Sequence, residues 1–95
     1  MLNLVKELCL LNGVSSGEDD VRDYLMERCR PYAASMRVDA LGNLIVFKRG
    51  EKSTGNKLML TAHMDEVGFI VNDITEDGYL KFAPVGGIDP RVVIG

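Results

Sequence analysis

Within TAHMDEVGF, residues 61–69, His63 stands two positions before Asp65 and is the only histidine in the chain. Alternate side chains of an extended segment share a face, so His63 and Asp65 point one way while Met64 and Glu66 point the other. This spacing suits a metal ligand and the acid that orients it. A metal-bound imidazole commonly donates its other ring N–H to a carboxylate, which fixes the tautomer and strengthens the ligand. Alone, an H-x-D pair is a weak signal, and the bland alternative is a histidine satisfied by a neighbouring acid at a strand end. A hydrolytic zinc site needs about three protein ligands, and a two-metal site needs more, with bridging carboxylates. One histidine completes neither.

The other acids have local explanations. Glu18, Asp19 and Asp20 suit the positive end of a helix dipole, and Asp73, Glu76 and Asp77 suit a solvated hairpin turn. Glycoside hydrolysis needs two carboxylates facing each other across roughly 5–10 Å, whereas adjacent Asp65 and Glu66 face opposite sides of a strand. Ser15 and Ser16 lack a nearby base and sit where a helix cap is needed, which argues against a nucleophile. Gly86-Gly87 matches no phosphate-binding pattern and reads as a turn.

The elements that must position His63 follow from periodicity. Leu4, Val5, Leu8 and Leu11 recur at helical spacing and Asn12-Gly13 supplies the stop, giving a helix over Leu2–Leu11. Ser16 is placed to cap a second helix with a buried stripe of Val21, Leu25 and Cys29, which Pro31 ends. Met36, Val38 and Ala40 alternate with Arg37 and Asp39, and Gly42-Asn43 turns the chain into LIVFKR, a hairpin. The loop GEKSTGNK then leads into Leu58–Ala62, an apolar run of the kind found in strands covered on both faces, with His63 at its carboxyl end. VGFIVNDI and YLKFAPV flank TEDG as a second hairpin. Val92–Ile94 resembles the start of another strand, and an ending inside an apolar run suggests the front part of a longer polypeptide.

Ninety-five residues suffice for one small domain with a modest core. A net charge of -3 and a pI near 5.0, with dispersed Lys and Arg, argue against nucleic acid and against an anionic membrane surface. Cys9 and Cys29 fit neither a CxxC metal knuckle nor a disulfide framework and read as small buried hydrophobes. The opening MLNLVKELCLLNG has neither a signal-peptide core nor a membrane-spanning length, so a soluble, reducing, cytoplasmic setting is the default expectation.

Together, NGVSSGEDDVRDYL, VDALGNLI, LTAHMDEVGFIV and GGIDPRVVIG resemble the N-terminal part of the glutamyl or deblocking metallo-aminopeptidases, whose best-known members form tetrahedral particles and some of whose relatives are labelled endoglucanases. The last two segments are the specific ones. The one local departure is Ser15-Ser16-Gly17-Glu18, where relatives commonly show Ser-Gly before the acidic helix start. The resemblance implies an α/β fold, with two helices and then a mixed β-sheet of a zinc-exopeptidase-like catalytic domain over 1–66, and the start of an inserted β-rich dimerization domain over 67–95. It implies two divalent ions per complete site, zinc or cobalt, acting on the N-terminal peptide bond of a peptide substrate in a homo-oligomer. His63 would be a ligand to one ion, and Asp65 would orient His63 without binding the ion. The general base and the remaining ligands would lie downstream, so these 95 residues are expected to be inactive alone. Two alternatives stand beside this reading: a non-catalytic α/β assembly module that pairs through its sheet edges, and an endoglucanase. Exposed apolar edges at Leu58–Ala62 and Val92–Ile94, with self-association, are expected in either of the first two cases.

Overall fold

Apolar spacing places the first helix, α1, at Leu2–Cys9. It stops short of Leu11 because the Leu10 and Leu11 N–H groups bond to the Glu7 and Leu8 carbonyls, tightening the end into a 3-10 turn. The computed structural model describes residues 1–52 and 55–94; part of the expected GEKSTGNK loop, at Ser53 and Thr54, and Gly95 lie outside the described residues.

The second helix, α2, runs Asp19–Cys29 with Asp19 and Asp20 in its first turn, as the dipole argument requires. Its N-cap is Glu18, not the expected Ser16. Ser16 instead has φ 72°, and its N–H donates to Glu18 Oε1 at 2.8 Å, while the Gly17 N–H closes a turn on the Val14 carbonyl at 2.7 Å. A left-handed serine costs free energy that glycine would not. Pro31 ends α2 as expected, within one further 3-10 turn at Arg30–Tyr32. The Tyr24 hydroxyl donates to the Glu7 carboxylate and ties α2 to α1.

Both expected hairpins form. Strand β1, Ser35–Val38, pairs antiparallel with β2, Leu44–Phe47, and β3, Gly68–Ile74, pairs antiparallel with β4, Leu80–Val85. The first turn is fastened by one side chain: Asp39 accepts from the Leu41 and Asn43 N–H groups and from Asn43 Nδ2 at 2.9–3.0 Å, leaving Gly42 at φ 84°. The Asn43 side-chain amide, followed by its backbone N–H, holds the Asp39 carboxyl below the usual carboxylate range. In the second hairpin Phe69 and Phe82 meet edge-to-face at 4.8 Å, and a bulge between Val71 and Asp73 shifts the register.

Three expectations are corrected. The hairpins do not join a mixed sheet; among the described residues they stand as separate two-stranded sheets, and the one parallel link is an isolated bridge between Val14 and Glu66. Leu58–Ala62 is not a strand, because among the described residues no neighbouring strand lies alongside to take its N–H and C=O groups. Val92–Ile94 does not begin one either. The Asp89 carboxylate accepts from the Arg91 N–H at 2.9 Å and Pro90 fixes its own φ, so Pro90–Val92 turns as a 3-10 helix.

The expected modest core reduces to Val21, the single buried hydrophobic residue among those described; Leu25 and Cys29 are half-buried and Cys9 is exposed. The accessible surface is 8625 Å², against roughly 5,400 Å² for a compact monomer of this mass. The radius of gyration is 18.2 Å, where a compact chain would have about 12 Å. Leu58, Met59 and Leu60 are each more than four-fifths exposed, as expected of that segment.

What the chain does hold tightly is the loop before α2 against the segment after His63. The Glu66 N–H donates to the Gly13 carbonyl at 2.7 Å. A Cβ on Gly68 would lie 2.5 Å from Val14 Cγ2, and one on Gly13 would lie 3.0 Å from Val21 Cγ2, so both glycines permit the approach. Gly68→Ala is therefore expected to lift the loop, seen as lost hydrogen-exchange protection of the Glu66 amide with the β1–β2 amides unchanged. The Asp39 turn has its own pH window. A carboxyl with a depressed native pKa contributes stability above about pH 3.9, the unfolded value, and loses it as pH falls through the native value. Leu41 and Asn43 amide protection should stay level down to that point and then fall, whereas Asp39→Ala should lose it already at neutral pH.

Candidate metal centre

His63 and Asp65 lie in a stretch without regular secondary structure, whose backbone is pinned one residue later by the Glu66–Gly13 hydrogen bond. The two side chains meet: Nδ1 of His63 is 2.9 Å from Asp65 Oδ1 and 3.0 Å from the Asp65 carbonyl oxygen. Both neighbours are acceptors, so Nδ1 carries the proton and donates to them. The Nε2 lone pair is left free on a side chain that is 86% exposed.

Asp65 is held from its other side as well. The Ser15 hydroxyl donates to Asp65 Oδ2 at 2.5 Å, so the carboxylate bridges Ser15 and His63, one oxygen to each. The Ser15 hydroxyl first, and His63 second, keep the Asp65 carboxyl below the usual carboxylate range. An ionised Asp65 is the form that accepts from both. Beside it lies an open depression of about 190 Å³, floored by Ala62–Asp65 and walled by Glu18 from the loop before α2 and Leu41–Asn43 from the first turn.

Sequence reasoning brings His63 and Asp65 together correctly and misses Ser15. Both serines were expected near a helix cap, and neither caps α2. Ser15 stands 50 positions before Asp65, and no local spacing announces the contact. Of the other acids, Asp19 pairs with Arg22, Asp73 with Lys81 and Asp89 with Arg91, while Glu18 lines the depression and accepts from the Ser16 N–H. Among the described residues no group of three or more His, Cys, Asp or Glu could hold a metal ion. The donor set therefore fits one ligand of a larger site: an imidazole with its outer nitrogen free and its inner nitrogen anchored to a carboxylate.

Comparison with known proteins bears on the rest of that site. The profile of the M42 glutamyl aminopeptidases matches residues 42–95. The glutamyl aminopeptidase of Lactococcus lactis is 38% identical over 95 residues, all of this chain and 27% of that protein. Among solved structures, an endoglucanase from Thermotoga maritima superposes with a TM-score of 0.81 at 48% identity, over 92% of this chain and 28% of its own. The dodecamer PhTET1-12s superposes with a TM-score of 0.84 at 36% identity, over 100% of this chain and 28% of its own. The chain thus spans little more than a quarter of the length of the relatives it matches. With His63, Asp65 and the β3–β4 hairpin inside the matched residues, this chain belongs to the M42 glutamyl aminopeptidase family and corresponds to the N-terminal portion of its members.

Proposed function

We propose that this chain supplies the His63 arm of a two-metal aminopeptidase that removes N-terminal residues from peptides, zinc or cobalt being the ions, and that the remaining ligands and the general base come from sequence outside these 95 residues. The observation that carries the proposal is the anchored imidazole: its Nδ1 is committed to Asp65, which leaves Nε2 as the ligand atom. In this reading His63 holds one ion, Asp65 orients the ring and keeps Nδ1 protonated, and the 190 Å³ depression leaves room beside Nε2 for substrate. The chemistry such ions supply when bound is Lewis-acid polarisation of the scissile carbonyl and a water acidified towards neutral pH.

Residues 1–66 are then part of the catalytic domain, and the self-contained β3–β4 hairpin within 67–95 begins a β-rich dimerization domain. The large exposed apolar surface and the dodecameric state of PhTET1-12s support a homo-oligomer. A cytoplasmic setting suits the free thiols of Cys9 and Cys29. The exposed apolar segment Leu58–Leu60 also fits the rival reading, a non-catalytic module that pairs through its edges. An endoglucanase ranks last: the adjacent acids Asp65 and Glu66 do not share the depression.

Native mass spectrometry of the purified protein, with zinc or cobalt added and then chelated, separates these readings. A subunit well above 10.5 kDa that carries two ions is the expected result for the aminopeptidase. A 10.5 kDa oligomer indifferent to chelator and to His63→Ala would establish the assembly module instead. Within the aminopeptidase reading, His63→Ala should abolish release of N-terminal residues from peptides. Asp65→Asn should weaken metal affinity by about 10–100-fold, the usual effect of removing a carboxylate partner of a ligand histidine.

A further inference from the structure

Ser15 and Asp65 meet because the loop before α2 docks on the segment after His63, and the contact is specified from several directions. Main-chain bonding between Gly13 and Glu66 sets the height of the loop, Gly68 lets Val14 seat, and the left-handed Ser16 turns the chain so that Ser15 faces Asp65. A left-handed non-glycine residue beside a polar contact of this kind is strain retained where geometry has to be held. The hydroxyl takes Oδ2, which leaves Oδ1 for the ring. Without the hydroxyl the carboxylate is free to rotate about its own bond, and His63 Nδ1 keeps only the Asp65 carbonyl oxygen as a fixed acceptor.

We infer that Ser15 is a positioning residue for the His63 site: by clasping Asp65 Oδ2 it fixes the carboxylate that keeps His63 in the Nδ1–H tautomer with Nε2 presented outward. The inference rests on the reading of His63 as a metal ligand for its purpose, while the clasp can be tested without metal.

The experiment is long-range proton–nitrogen NMR of the 15N-labelled 95-residue chain, in which the two ring nitrogens report the tautomer directly. Every imidazole signal belongs to His63, the only histidine. The wild-type chain is expected to show the Nδ1–H tautomer in majority. Ser15→Ala should shift the population towards Nε2–H by several-fold, Ser15→Thr should keep the wild-type population, and Lys81→Ala, at an exposed ion pair of the second hairpin, should leave it unchanged. Gly68→Val, which displaces the loop without touching Ser15 or Asp65, should reproduce the Ser15→Ala shift. A wild-type tautomer in Ser15→Ala or in Gly68→Val overturns the inference, as does loss of the tautomer in Ser15→Thr. The metal reading is tested separately, by the zinc content of the full-length protein: an Nδ1–H tautomer with a zinc content unchanged by His63→Ala would sink the metal reading and leave the clasp standing. Zinc lost in His63→Ala with a tautomer insensitive to Ser15 would do the reverse.

Discussion

One contact organises this chain: the loop Gly13–Gly17 laid against the segment that carries His63. It consists of a main-chain hydrogen bond from Glu66 to Gly13, an isolated parallel bridge between Val14 and Glu66, and the Ser15–Asp65 side-chain bond. Gly13 and Gly68 stand at the two approaches, where a Cβ would run into the side chains of Val21 and Val14. Val21, the buried hydrophobic residue, lies against Gly13 on the α2 side. The small amount of core that exists thus sits directly behind the candidate site, and α2 and the site segment are fixed by the same few atoms.

Elsewhere, local interactions replace a core. Each hairpin is closed by its own turn chemistry: Asp39 clasps the first, and Thr75 closes the second by accepting from the Tyr79 N–H through Oγ1 and from the Gly78 N–H through its carbonyl oxygen. Ion pairs such as Asp73–Lys81 and Asp89–Arg91 are exposed and of the kind that contributes little to stability. A surface roughly 3,000 Å² larger than that of a compact monomer of equal mass leaves most of the apolar side chains of β3 and β4 facing water. Burial is the dominant favourable term in folding and association, and this chain leaves unburied more apolar surface than a compact monomer exposes.

Membership of the M42 glutamyl aminopeptidases and the short coverage of the relatives bear on the same feature from two sides. The chain carries a histidine hydrogen-bonded to an acid two positions further on. A complete metal site needs ligands brought from several elements, and among the described residues no group of three or more His, Cys, Asp or Glu could hold an ion.

What the sequence by itself determined is everything governed by short-range rules. Helical spacing located α1 and α2, glycine and asparagine at the turns located both hairpins, and a separation of two residues kept His63 and Asp65 within hydrogen-bond reach. Three things were decided only by tertiary structure. Leu58–Ala62 has the composition of a covered strand, but a strand exists only where a neighbour takes its hydrogen bonds, and composition does not say where that neighbour is. Ser16 has the residue type of a cap, yet the turn that docks the loop drives it to positive φ and passes the cap position to Glu18. Ser15 reaches Asp65 across 50 positions of chain because the fold brings two loops within hydrogen-bond distance, and no periodicity encodes a contact of that separation.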